Sequence, residues 1–255
     1  MIHKPIYSGL LHTGLPDLQA LYKMPKIRLV NRTSYAGWTD PQGLPTAQWY
    51  DLVAANEAAQ VKIIIDHEAW PYSTQVERHA VGNKYVQIYA EVKSRRPDIR
   101  IGWYMDPTRR DFWRARTPLG STQYLAWQAE NNDLGSIMAM STDMYFPSLY
   151  FFYNRDTHPV NTDEVGLYVE RNIDETKRIR RLYGHADSPI YPYVWWMRHD
   201  NSRTLDQDVW ETIVRTVMDD ADGMVIWGGW QVQWDEAAPW WIPIKARLMD
   251  ARRTG

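Results

Sequence analysis

Residues 62–71 read Lys62-Ile63-Ile64-Ile65-Asp66-His67-Glu68-Ala69-Trp70-Pro71, an unbroken apolar run that ends in two carboxylates and a tryptophan. A continuous β-branched run of this kind marks a strand covered on both faces, whereas a half-solvated strand alternates apolar and polar residues. Comparable runs recur at Ile27–Val30, Val61–Ile65, Ile99–Tyr104, Tyr145–Phe152, Ile190–Trp196 and Met224–Trp227. Between them the pattern is helical, over Thr46–Ala58, Thr74–Arg96, Thr122–Asn131, Thr162–Tyr183 and Leu205–Ala221, with cap-like residues at Ser73, Ser121 and Asn161.

Strands alternating with helices imply a parallel sheet with helices on both faces. Four of the runs end in polar or aromatic clusters: Asp66-His67-Glu68, Trp103-Tyr104-Met105-Asp106, Trp195-Trp196-Met197-Arg198-His199 and Trp227-Gly228-Gly229-Trp230. Chemistry gathered at strand C-termini is the habit of the (β/α) barrel. No GxGxxG or GxxxxGK[ST] follows a strand, which argues against dinucleotide and P-loop folds. The expectation is therefore an α/β chain forming an irregular, TIM-like (β/α) barrel with about seven parallel strands. No repeat, low-complexity tract or Gly/Ser linker interrupts it, so residues 1–255 read as one catalytic domain.

Composition narrows the chemistry. A chain of 255 residues builds a full core without covalent staples, and the absence of cysteine excludes disulfides, thiolate catalysis and cysteine-based metal sites. No HExxH, EF-hand loop or His pair at ligand spacing is present, so neither a metal nor a cofactor is expected. A net charge of −2 lacks the basic footprint of a nucleic-acid binder, and no apolar run is long enough to span a membrane. The N-terminal stretch is too poor in apolar residues for a secretory signal, which implies cytoplasmic synthesis, with phage carriage or release by lysis as routes to an extracellular substrate. The 14 Trp and 16 Tyr against 4 Phe favour amphipathic aromatics, whose faces pack a core or stack on sugar rings.

Residues two apart on a strand share a face, so Asp66 and Glu68 are expected to point the same way, ~6–7 Å apart. Like charges so close raise the proton affinity of one member, and a flanking tryptophan adds desolvation. Glu68, beside Trp70, is the expected general acid; the structural alternative is a pair that caps the next helix or holds a surface arginine. His67 points to the opposite face and reads as a core histidine. The segment Thr108–Arg116 carries four arginines with Phe112 and Trp113, a composition suited to pairing with carboxylates or sulfates and stacking on sugars, or to a solvated loop. Arg198 and His199 would extend that positive rim. Asp106 and Asp143, near strand ends, are the rivals if a protein carboxylate is the nucleophile. Asp219, Asp220 and Asp222 read as a helix terminus and turn, and Trp234, Trp240 and Trp241 as packing for a closing helix.

Four blocks in order resemble the hyaluronidase family of glycoside hydrolases: Ile63-Ile-Ile-Asp66-His67-Glu68-Ala-Trp70-Pro71, Ile101-Gly102-Trp103-Tyr104, Phe146-Pro147-Ser148-Leu149-Tyr150, and the stretch Pro189 to Gly228. His67 stands where the family usually has an aromatic residue, and the family's animal members carry disulfides. The resemblance implies a retaining hydrolase in which the substrate's 2-acetamido group is the nucleophile. It implies Glu68 and Asp66 as the catalytic pair, Tyr104 and Tyr150 as hydrogen-bond partners of the reacting sugar, and Trp227 as the pocket floor. Trp70, Trp103, Trp196, Arg109, Arg110, Trp113 and Arg198 complete the expected substrate-binding set. The expected substrate is an N-acetylhexosamine-containing, acidic polysaccharide or oligosaccharide of hyaluronan or chondroitin type. A glycosidase with a protein nucleophile, a non-catalytic carbohydrate-binding barrel of the adhesin or fibre kind, and a polysaccharide lyase are the alternatives.

Overall fold

The computed structural model describes residues 4–57, 62–153, 160–198, 203–229 and 232–254. In chain order the elements are β1 (Ile6–Leu10), α1 (Leu18–Tyr22), β2 (Arg28–Asn31), α2 (Ala47–Asn56), β3 (Lys62–Asp66), α3 (Gln75–Arg95), β4 (Arg100–Tyr104), α4 (Phe112–Ala115), α5 (Thr122–Met138), β5 (Met144–Phe146), α6 (Thr162–Tyr183), β6 (Tyr193–Trp195), α7 (Gln207–Asp220), β7 (Met224–Gly228) and α8 (Trp241–Thr254). Every ladder among the described residues is parallel, in sheets of order β2-β3-β4-β5 and β1-β7-β6. By packing, the chain divides into two compact units, each discontinuous in sequence: Met1–Ile27, Ser148–Ile173 and Ile190–Gly255, then Arg28–Pro147 and Asp174–Pro189.

The second unit contains the sheet β2-β3-β4-β5. Ile63, Ile64 and Ile65 are each at most 1% exposed, which is why β3 reads as a solid apolar run. Register pairs Asn31 with Asp66 across β2 and β3, and Ile65 with Trp103 across β3 and β4. The carboxylate Asp66 thus closes β3 at the C-terminal edge of this sheet. Outside the sheet, α3 is started by a reciprocal cap: Thr74 Oγ1 accepts from the Glu77 amide at 3.2 Å and Glu77 Oε2 accepts from the Thr74 amide at 2.9 Å. The cap is Thr74, one residue beyond the expected Ser73. Trp38, Trp49, Tyr85, Ile88, Val92 and Trp103 form the core against the sheet.

Gly102 in β4 has no substitute. A Cβ there would enter the ring of Phe146 on β5 and stand 2.8 Å from the Met144 carbonyl oxygen. The strand expected over Tyr145–Phe152 ends at Phe146 because Pro147 has no amide to continue the ladder.

The first unit contains β1-β7-β6, with Trp227 level with Gly9 on one side and Trp195 on the other. Both edges are prolonged by single parallel bridges, Ser8 with Lys26 and Ser148 with Tyr193. Asp222 accepts from the Ile190 amide at 2.9 Å and donates its own amide back to the Ile190 carbonyl at 3.0 Å, so it anchors the turn before β7 as expected. The closing helix α8 begins at Trp241, fully buried beside Trp234 and Trp240. No helix among the described residues is long and apolar enough to cross a membrane.

Candidate active site

Hydrogen-bonded strand geometry in β3 stops at Asp66, so Glu68 lies just past the strand rather than on its next inward position. The two carboxylates are nonetheless coupled. The Asp66 pKa is pushed up to about 7, first by burial and then by the charges of Glu68 and Asp106. That of Glu68 is also raised: burial dominates and Asp106 adds to it, against the lowering fields of Arg109 and Arg110. Burial and neighbouring negative charge therefore bias both members of the free pair toward the protonated form. Trp70, expected as the desolvating neighbour of Glu68, faces the core.

His67, between the carboxylates, is 7% exposed. It stacks on Trp38 with ring centroids 4.4 Å apart, meets Trp70 edge-on at 4.4 Å, and its Nε2 lies 2.8 Å from the Pro41 carbonyl oxygen. Burial lowers its pKa. It is a core histidine that fixes the backbone between Asp66 and Glu68.

Behind the pair lies a polar network that the sequence did not reveal. Asp106, whose side chain is 1% exposed, accepts from Tyr72 and Tyr85 hydroxyls on the same Oδ2, both at 2.7 Å. The two hydroxyls are 2.9 Å apart, and the Tyr85 hydroxyl also lies 3.3 Å from the His67 carbonyl oxygen. Arg109 Nε is 3.1 Å from Asp106 Oδ1, and the Arg109 guanidinium carbon sits 3.4 Å from the centre of the Tyr72 ring. Its backbone is held as firmly: the Arg109 amide donates to Asn131 at 2.9 Å, and its carbonyl accepts from Trp127 Nε1 at 2.8 Å. Asn131 in turn donates to the fully buried carboxylate of Glu175, which Arg178 clamps at 2.6 and 2.7 Å.

Several expected sugar contacts have packing roles instead. Trp70 is 2% exposed and Trp103 is 0% exposed, with the Trp103 indole donating to the Ser141 carbonyl at 2.9 Å. Trp196 stacks on Trp240, centroids 4.9 Å apart and planes 7° apart. These indole faces are consumed by protein, since an aromatic that serves the core has none left for a ligand. The arginine-rich segment changes too. Arg114 is gripped by Glu130 at 2.7 and 2.8 Å and by Asp111 at 2.7 Å, which neutralises it. Arg116 lies over Phe112 and Trp113, and Trp113 is 51% exposed. Arg110 is half-buried, and its charge acts on Glu68.

Of the remaining expected residues, Tyr104 ends β4 and is 9% exposed. Tyr150, Trp227 and Arg198 belong to the first unit, where Tyr150 packs against Trp195 at 5.5 Å and Trp227 is half-buried. His199 and Trp230 lie outside the described residues. The alternative nucleophiles are both committed elsewhere. Asp143 sits at the opposite, N-terminal edge of the sheet, ion-paired to Lys93 at 2.8 Å and accepting from the Ile101 amide at 2.8 Å, while Asp106 is enclosed by its tyrosines and arginine.

Comparison with known proteins settles the lineage. The family profile described as Hyaluronidase, of glycoside hydrolase family 56, matches residues 48–240. The chain belongs to the hyaluronidase family. Hyaluronidase conohyal-ad1 of Conus adamsonii is 26% identical over 101 residues, and Hyaluronidase-1 of Sus scrofa 26% over 104. Each match covers 40% of this chain, but only 28% and 23% of those relatives. The crystal structure of bee venom hyaluronidase in complex with hyaluronic acid tetramer superposes with a TM-score of 0.66 at 15% identity, covering 98% of this chain and 95% of that one. At that identity the likeness is one of fold, and the fold is the irregular (β/α) barrel expected from the sequence, with seven parallel strands among the described residues.

Proposed function

We propose that the chain is a retaining endo-glycosidase that hydrolyses an N-acetylhexosamine-containing acidic polysaccharide of the hyaluronan type, with the sugar's acetamide as nucleophile. The observation that carries this reading is the coupled Asp66–Glu68 pair at the C-terminal edge of β3, with Asp66 pushed up to about 7, in a member of the hyaluronidase family. A bee enzyme of the same fold has been crystallised with hyaluronic acid tetramer, which supports the substrate class.

In the free protein both carboxylates are biased toward protonation. Bound substrate separates them: an acetamide N–H donating to Asp66 favours its ionised form, and a sugar covering exposed Glu68 strips water from it and favours its protonated form. Glu68 then gives the proton to the glycosidic oxygen as the acetamide oxygen attacks the anomeric carbon and the bond to the leaving sugar breaks. Asp66 balances the positive charge developing on the acetamide nitrogen. In the second half, ionised Glu68 takes a proton from water, whose oxygen attacks the same carbon and reopens the ring, so configuration is retained. No protein nucleophile is required, in keeping with the engagement of Asp106 and Asp143 elsewhere. Tyr104, Tyr150 and Trp227 carry over from the family resemblance as sugar contacts. Arg109, Arg110 and Arg198 are the cationic groups proposed for the uronate carboxylates, with Trp113 as a stacking surface.

The test compares wild type with Glu68→Gln on hyaluronan and chondroitin, with mass spectrometry of the products. The expected result is even-numbered oligosaccharides without unsaturation from wild type, a rate loss of at least ~10²-fold in the variant, retained binding, and inhibition by a thiazoline mimic of the cyclised acetamide. Binding without cleavage by both proteins overturns the proposal, as does product absorbing near ~232 nm, the mark of elimination rather than hydrolysis by acid–base chemistry.

A further inference from the structure

We propose that the Asp106–Arg109 ion pair is a positioning element that tunes the resting charge of the two reacting carboxylates, Arg109 supplying positive charge to Glu68 while Asp106 supplies negative charge to both. This rests on Asp66 and Glu68 being the reacting pair.

The ion pair is anchored at one carboxylate oxygen, at the arginine backbone and on an aromatic ring, while Asp106 Oδ1 and Arg109 Nε and Nη2 have no hydrogen-bond partner among the described residues. Asp106 is fixed by two tyrosine hydroxyls at 2.7 Å, and one of these, from Tyr85 on α3, also reaches the His67 carbonyl between the two carboxylates. Arg109 is fixed by the ion pair, by the Tyr72 ring beneath it, and by backbone hydrogen bonds to Asn131 and Trp127 on α5. This anchoring fixes the Arg109 charge while leaving its Nη2 without a hydrogen-bond partner among the described residues, open to an anionic ligand. A charge whose position must be constant while substrate comes and goes needs all of it.

The charges around the pair come from few elements. From the segment after β4, Asp106 acts on both carboxylates, and Arg109 and Arg110 act on Glu68. From α3, Lys84 acts on His67, joined by Arg32 from the segment after β2. Asp106 alone of these opposes ionisation of Asp66 from outside the pair, and Arg109 is its direct ion-pair partner. Arg109 therefore favours the ionised form of Glu68, while Asp106 opposes ionisation of both carboxylates. That opposition separates a tuning role from a merely structural one, since loss of packing has no preferred sign on a titration.

Carbon-13 NMR titration of carboxyl-labelled protein, without substrate, reads the effect directly, and the pH profile of hyaluronan hydrolysis reads it in turnover. Arg109→Met is expected to raise the Glu68 titration midpoint by at least ~0.5 pH unit, Asp106→Asn to lower both midpoints by a similar amount, and Arg109→Lys, which restores the charge, to stay within ~0.3 unit of wild type. The hydrolysis optimum moves the same ways. Equal behaviour of Arg109→Met and Arg109→Lys overturns the proposal, and so does a shift of one sign in Arg109→Met and Asp106→Asn. The Arg109 comparison stands alone where Asp106→Asn does not fold. A wild type that cleaves no polysaccharide fails the catalytic reading, whereas the carboxyl titrations still decide whether this ion pair tunes the two groups.

Discussion

Replacing Asp66 by asparagine should stabilise the folded protein at alkaline pH while abolishing turnover. Asp66 is raised from 3.8 to about 7, chiefly by burial, so the folded state disfavours its ionised form. A group with a raised folded pKa contributes most below its unfolded pKa and loses that contribution as pH rises through the folded one. For Asp66 the window runs from about pH 4 to about pH 8. Each pKa unit corresponds to about 1.4 kcal/mol, so the displacement from 3.8 to about 7 sets an upper bound of about 4 kcal/mol. Sharing of the proton with Glu68 reduces the realised effect to roughly half. Asparagine keeps the shape of a neutral aspartic acid and carries no charge at any pH. Asp66→Asn should therefore match wild type near pH 4 and exceed it by roughly 2 kcal/mol at pH 8, which for a chain of this size raises the melting temperature by roughly 4–8 °C. Urea unfolding and thermal melts at pH 4, 6 and 8 measure this. A variant that is destabilised at pH 8, or stabilised equally at pH 4 and 8, would refute the assignment of the raised pKa to Asp66.

Other outcomes follow from the same coordinates. His12 is 6% exposed among Trp196, Trp234 and Trp240, and neither of its ring nitrogens has a hydrogen-bond partner among the described residues. Its pKa is lowered by burial, so its contribution to stability is present above 6.5 and lost as pH falls through the folded value; His12→Phe should narrow the gap between melting temperatures at pH 7 and pH 5, and an unchanged gap would contradict the assignment. Gly102→Ala, which drives a Cβ into the Phe146 ring, should cost roughly 1–3 kcal/mol in urea unfolding, with partial recovery when Phe146 is also reduced to leucine. Trp103→Ala should cost roughly 3–5 kcal/mol, whereas Trp113→Ala should change stability by less than ~0.5 kcal/mol while weakening hyaluronan oligosaccharide binding several-fold by calorimetry.

What the sequence made legible follows from how each element is solvated. β3, β4 and β7 were readable to within about a residue at most ends because parallel strands buried on both faces leave an uninterrupted apolar run. β1 was not, since Ser8 and Gly9 interrupt Ile6-Tyr7-Ser8-Gly9-Leu10; yet all five residues are buried, and Gly9 is small because Trp227 approaches it closely. Asp66 and Glu68 were legible as a pair because a single residue, His67, separates them. The Tyr72–Tyr85–Asp106–Arg109 network was not, because it is assembled from three segments that only the fold brings together. The one available hint was that Asp106 and Arg109 are spaced for an ion pair across a turn. Tryptophan count pointed to aromatic packing or sugar stacking without deciding which side chain does which, since burial depends on the partner surface and not on residue type.

The distribution of those indoles has an optical consequence. Among the described residues nine tryptophans are enclosed, while Trp113, under the guanidinium of Arg116, is more than half open to water. Iodide or acrylamide should quench a small, red-shifted share of the intrinsic fluorescence and leave a large blue-shifted remainder untouched. A polysaccharide that covers the Arg109–Arg116 segment would shield that small share first, so the protein carries its own reporter for occupancy at one chosen spot, with no dye attached.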